Sequence, residues 1–108
     1  MTELITLDYL VLDKMLDDME SIETILSMLN HPEFGGLARN EGQLFTPREV
    51  EASLRRLIAE GLIRRMYWEQ PKGPWHIFNA PSADIDDDWF DLTEQGRAIS
   101  LQWQARQA

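Results

Sequence analysis

Cysteine is absent from this chain of 108 residues. Without thiols the chain can form neither a disulfide framework nor a thiolate zinc site, and it carries no sign of an oxidising compartment. Histidine is scarce, and His31 and His76 lie too far apart in the sequence to form a metal cluster by themselves. We therefore expect neither a metal nor another cofactor.

Long apolar runs are also missing. No stretch approaches the roughly 20 residues that a membrane-spanning helix needs, and the N-terminus lacks a basic segment followed by an apolar run and a cleavage site. Nucleophile elbows, phosphate-binding glycine-rich loops and histidine–carboxylate metal signatures are lacking too. These absences predict a cytoplasmic protein that is not an enzyme and has no membrane partner.

The composition is that of a globular protein. Hydrophobic residues make up 44% of the chain and charged residues 27%, which is too apolar for a disordered segment. A chain of this length can bury a core without metal or disulfide staples. We expect a single domain spanning residues 1–108.

Acidic residues outnumber basic ones by 19 to 10, which gives a formal net charge of -9. The excess is uneven: residues 1–38 carry one basic and eight acidic residues, 39–75 carry seven and five, and 76–108 carry two and six. The middle third is therefore the only basic part. Such segregation bears on binding partners and not on the fold.

Two helical patterns occupy the N-terminal part. Residues 6–18 repeat apolar side chains at helical spacing with charged residues between them, which predicts a first helix with one inward face. Ser21 is a suitable N-cap for a second helix that ends near Asn30. No glycine or proline separates the two patterns, so one long helix also fits. Residues 31–44 are interpreted as a loop.

The best-specified element is a helix over residues 46–60. Thr46 and Glu49 form a capping box, and Pro47 occupies the first helical position, where its missing N–H costs nothing. A helical projection places the apolar side chains on one arc, whose members are Val50, Leu54, Leu57 and Ile58. The opposite arc consists of Arg48, Ala52, Arg55 and Ala59, with Arg56 beside it.

Strand patterns follow this helix. Gly61 is suited to the C′ position, residues 62–69 and 88–92 are predicted strands of a hairpin, and residues 75–78 fit a short additional strand. Thr93 caps a predicted last helix, on which Ile99 and Trp103 share a face. We expect Leu101 and Trp103 to stay partly exposed, which favours a homodimer formed through the N- and C-terminal helices.

Two phrases carry a resemblance to a known family. The segments LRRLIAEGLIR (54–64) and FDLTEQGR (90–97) resemble the end of the recognition helix and the end of the wing in winged-helix transcriptional regulators of the PadR and MarR kind. The resemblance implies an α+β winged helix-turn-helix fold with a three-helix core, a β-hairpin wing and a C-terminal helix.

By this resemblance the protein is a DNA-binding transcriptional regulator that places helix 46–60 in the major groove of double-stranded DNA and the wing beside it. The predicted DNA-binding residues are Arg48, Ser53, Arg55 and Arg56 on the helix, Arg64 and Arg65 on the first wing strand, and Lys72 near the wing tip. The alternative for the three helix arginines, Arg48, Arg55 and Arg56, is that they belong to a solvated helix face. Ion pairs at i,i+4 spacing, Glu51 with Arg55 and Arg56 with Glu60, would stabilise that face.

A second hypothesis starts from the acidic charge. Four carboxylates precede the returning wing strand, namely Asp84, Asp86, Asp87 and Asp88. They lack the glycine turn and distal glutamate of a calcium-binding EF-hand loop, so a solvated acidic loop is the better interpretation. The alternative function is a winged-helix protein–protein interaction module that does not bind DNA and uses the acidic first helix and wing as its contact surface.

Overall fold

A computed structural model describes residues 3–31, 44–68, 75–77 and 89–107, with only the backbone described for 67–68 and 75–77. The described part is an α+β structure in which a helical core precedes an antiparallel sheet and a last helix. In chain order the elements are α1 (Thr6–Lys14), β1 (Glu20–Ser21), α2 (Ile22–Asn30), α3 (Pro47–Ala59), β2 (Ile63–Trp68), β3 (Trp75–Ile77), β4 (Trp89–Leu92) and α4 (Glu94–Gln107).

The sheet has the strand order β1-β4-β2-β3, and all neighbouring strands are antiparallel. Strands β2 and β4 pair with Ile63 opposite Leu92, and β3 extends the sheet where the sequence predicted a short strand. Strand β1 was not predicted. Its two residues pair with Phe90 and Trp89 of β4, and they separate α1 from α2, so the alternative of one long helix is wrong.

Helix α1 lies at the centre of the helical core, packed against α2, α3 and α4. The expectation that its charged residues face outward is wrong for Asp8, Asp13 and Lys14, all of which are buried. They are tolerated because they are paired: Lys14 Nζ lies 3.5 Å from Asp13 Oδ2, and Gln104 Nε2 donates to Asp13 Oδ1 at 3.1 Å. The helix also ends at Lys14 and not near residue 18.

Both ends of α3 are fixed as predicted. The Glu49 backbone N–H donates to Thr46 Oγ1 at 3.2 Å, and the Thr46 N–H donates to Glu49 Oε1 at 3.0 Å, which completes the capping box. At the other end Gly61 adopts φ +72°, Gly61 N–H bonds to the Ile58 carbonyl and Leu62 N–H to the Leu57 carbonyl. This is a Schellman motif, in which the left-handed conformation of Gly61 lets the N–H groups after the helix bond to its last carbonyls.

The side chain of Asn30 holds the chain where it enters α3. Its Oδ1 accepts from the Phe45 N–H at 2.8 Å, and its Nδ2 donates to the Phe45 carbonyl at 3.0 Å. The last residue of α2 therefore fixes the backbone immediately before the Thr46 cap. This contact orients α3 relative to α2 although 15 positions separate the two residues.

Helix α4 covers one side of α1. Trp103 is 8% exposed and stacks on Tyr9 with ring centroids 5.6 Å apart, so the expectation that Trp103 stays partly exposed is wrong. The aromatic contact buries the indole because α4 packs directly on α1. Leu101 does remain exposed, at 49%. Within the described ranges no helix is both long and apolar enough to cross a membrane.

Candidate nucleic-acid interface

The outer face of α3 carries the residues that the helical projection placed there. Val50, Leu54 and Leu57 are completely buried, Ile58 is partly buried, and the opposite arc is exposed, with Arg48, Ala52, Arg55 and Ala59 as its members. We call these four residues the arginine–alanine arc. Ala52 is a small side chain between the two arginines, and Ala59 lies one turn beyond Arg55.

Arg55 forms an ion pair within α3. Its Nη2 and Nε lie 3.1 Å and 3.2 Å from Glu51 Oε1, and both side chains are substantially exposed. Exposed pairs at this spacing stabilise a helix by only about 0.2–0.5 kcal/mol. Because the pair is weak, another anion could replace Glu51 beside the guanidinium at a small cost in free energy. Arg48, two helical turns earlier, is exposed as well.

Ser53 and Arg56 form a cluster with Asp8 of α1. Ser53 Oγ donates to Asp8 Oδ1 at 2.7 Å, and Arg56 Nη2 donates to the same oxygen at 2.8 Å. Ser53 is 0% exposed and offers no surface to a duplex, so its assignment as a DNA-facing residue is corrected. It lies on the flank of α3 that turns toward α1, where a small hydroxyl fits against a buried carboxylate.

The first wing strand presents one arginine and buries the next. Arg64 is exposed, and its Nη2 lies 3.2 Å from Oδ2 of Asp91, its register partner on β4. Arg65 is 2% exposed because the two-residue period of a strand places it on the same face as the buried Ile63. Arg65 therefore cannot reach a backbone phosphate in this arrangement.

Lys72 and the four aspartates that precede β4 lie outside the described residues. Of the predicted DNA-binding residues that the structure describes, Arg48, Arg55 and Arg64 are exposed, Arg56 is partly exposed, and Ser53 and Arg65 are buried. Across 3–31, 44–68 and 89–107, no group of three or more histidines and carboxylates is arranged to hold a metal ion.

The described elements define a winged-helix fold. Three helices are followed by an antiparallel hairpin and a last helix, and the third helix is exposed along its outer face. One solved structure similar to this chain is that of Bacillus subtilis PadR in complex with operator DNA, with a TM-score of 0.62 and 16% sequence identity. The similarity covers 91% of this chain and 46% of the PadR chain, so this chain spans about half the length of that protein.

No protein-family model matches the chain, and no curated protein matches it. The similarity to the PadR structure confirms the α+β winged-helix fold that the resemblance implied. The MarR part stays a prediction.

Proposed function

We propose that this protein is a cytoplasmic DNA-binding transcriptional regulator that inserts α3 into the major groove. The observation that carries the proposal is the arginine–alanine arc, in which two exposed arginines alternate with two alanines on a helix fixed at both ends. Arg48 and Arg55 are the proposed contacts on α3. The PadR structure that is similar in fold was solved with operator DNA.

Arg64 and Lys72 complete the proposed set of contacts on the wing. Arg64 lies on β2, the strand that follows α3 directly; its side chain is exposed, and that of its partner Asp91 is partly exposed. An exposed pair is worth about 0–1 kcal/mol, so a phosphate could replace Asp91 at small cost. Phosphate contacts of this kind fix the position of a protein on the duplex without reading its sequence.

The proposal includes a homodimer. Leu101 of α4 and Ile5, the N-cap of α1, are large apolar residues with 49% and 51% exposure, so α4 and the start of α1 each have an apolar residue at the surface. A two-fold dimer would place two copies of α3 on successive turns of one face of the duplex.

A second candidate is the protein-interaction module. Three of the predicted DNA-binding arginines already have a carboxylate partner: Arg55 with Glu51, Arg56 with Asp8 and Arg64 with Asp91. These pairs reduce the local positive potential that DNA binding needs. The acidic surface proposed on the first helix is smaller than expected because Asp8 and Asp13 are buried, which leaves Asp17 and Asp18 exposed after α1.

Fluorescence-anisotropy titration of a labelled random-sequence duplex at low and moderate salt tests the proposal. We expect the wild-type affinity to fall as salt rises, because neutralised phosphates release counterions. The variant Arg48→Ala/Arg55→Ala should bind more weakly and lower the logarithmic salt slope by about two, one for each lost contact.

Arg106→Ala is the matched control, because Arg106 is exposed in the last turn of α4 and is not a proposed contact. It removes one positive charge without changing α3. Absence of wild-type binding even at low salt, or equal losses in the control and the double variant after scaling by charge, would move the assignment to the protein-interaction module.

A further inference from the structure

Asp8 is a completely buried carboxylate whose two oxygens are both occupied. Oδ1 accepts from Ser53 Oγ at 2.7 Å and from Arg56 Nη2 at 2.8 Å. Oδ2 accepts from the Ile5 backbone N–H at 3.0 Å, and Arg56 Nε lies 3.3 Å from each oxygen. The carboxylate therefore holds the guanidinium by its Nε–Nη2 edge and is itself held by α1 and Ser53.

Arg56 is not buried with its partner. Its side chain is 30% exposed, whereas that of Asp8 is 0% exposed. A guanidinium is planar and carries further N–H groups on the edge formed by Nη1 and Nη2. Since Asp8 takes the Nε–Nη2 edge from the protein side, that second edge is the part of the group left to bind an external acceptor.

We propose that Asp8 is a positioning residue that presents the outer edge of Arg56 to the major groove, so that Arg56 determines sequence preference. This inference rests on the proposed function and assigns different roles to the arginines of α3. Arg48 and Arg55 supply affinity from the arginine–alanine arc, and Arg56 beside that arc supplies discrimination between base pairs.

The physical basis is preorganisation. A free arginine loses much rotamer freedom when it binds, and fixing the side chain in advance removes that cost from the binding step. A planar fork held in one orientation matches the paired acceptors of guanine, whereas a mobile cation binds any phosphate equally well. Asp8 adds no contact of its own and acts through Arg56.

The variants Asp8→Asn and Arg56→Lys separate orientation from charge. Asp8→Asn leaves an oxygen to accept from Ser53 and makes the protein less negative by one charge, so electrostatics alone predicts tighter binding to any duplex. Arg56→Lys keeps the positive charge and removes the fork. Both are compared with wild type on a random-sequence duplex and on a duplex enriched from a random library by the wild-type protein. Arg106→Lys provides the matched control.

On the random duplex we expect Arg56→Lys to bind about as tightly as wild type and Asp8→Asn to bind at least as tightly. Both variants should lose about 5- to 150-fold of the preference for the enriched duplex, the range for one bidentate arginine–guanine contact. The control should keep the full preference. Thermal melting by circular dichroism verifies that each variant is folded at the assay temperature. Should Asp8→Asn unfold, Ser53→Ala takes its place, because it removes the hydroxyl that donates to Asp8 Oδ1 and so loosens the carboxylate.

Full preference in a folded Asp8→Asn variant or in a folded Arg56→Lys variant would overturn the inference and reduce the cluster to a core ion pair. Failure of the wild type to enrich any sequence would overturn it as well. Failure of the proposed function is recognised separately, because then the wild type binds no duplex or Arg48→Ala/Arg55→Ala binds like wild type.

Discussion

Two glycines meet different physical requirements at the junction of the helices with the sheet. Gly61 has φ +72°, and a Cβ added there would lie 3.9 Å from the Gln95 side chain, which is ordinary contact. Gly96 lies in the first turn of α4, and a Cβ there would lie 1.9 Å from the Leu62 carbonyl oxygen. Gly61 is needed for its backbone conformation, and Gly96 for its lack of a side chain.

This difference predicts unequal costs for the same substitution. Gly61→Ala should destabilise the protein by about 1–2 kcal/mol, the cost of a left-handed conformation in a residue with a Cβ. Gly96→Ala should cost about 3 kcal/mol although alanine is the better helix former, because a backbone carbonyl must move to admit the methyl group. Urea unfolding measures both. Equal or greater stability of Gly96→Ala would show that α4 can shift freely away from Leu62.

At the scale of elements, Thr93 joins the turn after α3 to the start of α4. Its Oγ1 donates to the Gly61 carbonyl at 2.8 Å and accepts from the Gly96 N–H at 3.1 Å, and its backbone N–H donates to the Leu62 carbonyl at 3.1 Å. The two phrases that carry the family resemblance are therefore in direct contact. Although they are far apart in the sequence, the two segments meet at one junction between the end of α3 and the start of α4.

Removing the hydroxyl of Thr93 should loosen this junction. Thr93→Val keeps the shape of the side chain but loses both hydroxyl hydrogen bonds, and we expect a loss of about 1–2 kcal/mol in the free energy of unfolding. Thr6→Val is the control, because Thr6 is an exposed threonine at the first position of α1. A loss no larger than that of the control, measured by chemical denaturation, would contradict the assigned cap.

Local signals predicted most of the elements, because helix caps, glycine stops and hydrophobic periods act over a few residues. The capping box at Thr46, the stop at Gly61 and the N-cap at Ser21 are all confirmed. Strand β1 could not be predicted in this way. It contains two residues, Glu20 and Ser21, with no alternation to detect, and it exists because β4 supplies its hydrogen-bonding partner.

The Asp8 cluster shows why the candidate site was predicted only in part. Ser53 and Arg56 meet a carboxylate 45 and 48 positions away, and a single sequence gives no measure of that proximity. A signal was present in α1, since Asp8 falls at helical spacing from the buried Val11 and Leu12 and so shares their face. An acidic residue on an apolar face indicates a buried partner, although not which one.

At the scale of the whole molecule, the charge of -9 opposes compactness as well as DNA binding. Internal pairing does not change this total, because each buried carboxylate cancels one cation: Asp8 pairs with Arg56 and Asp13 with Lys14. The excess of nine negative charges therefore remains, whichever residues are paired. Ionisation should oppose folding most at a carboxylate that is partly buried and also lies near another negative charge.

Glu20 is such a carboxylate, because partial burial in β1 and the nearby charge of Asp18 raise its pKa above the ordinary value of 4.5. A pKa raised by folding means that ionisation costs stability, so the cost is fully present above the raised pKa and shrinks as the pH falls toward 4.5. Glu20→Gln should therefore be more stable than wild type at pH 7, and this gain should vanish at a pH below 4.5.

Asp17→Asn controls for the general reduction of charge, because Asp17 is exposed in the turn after α1 and its substitution removes the same unit of charge. Urea unfolding of both variants across this pH range measures the two gains. A larger gain for Glu20→Gln than for Asp17→Asn at pH 7 would assign the excess to the environment of Glu20. Equal gains would instead mean that the long-range repulsion of an acidic molecule accounts for the whole effect, with no separate contribution from burial in β1.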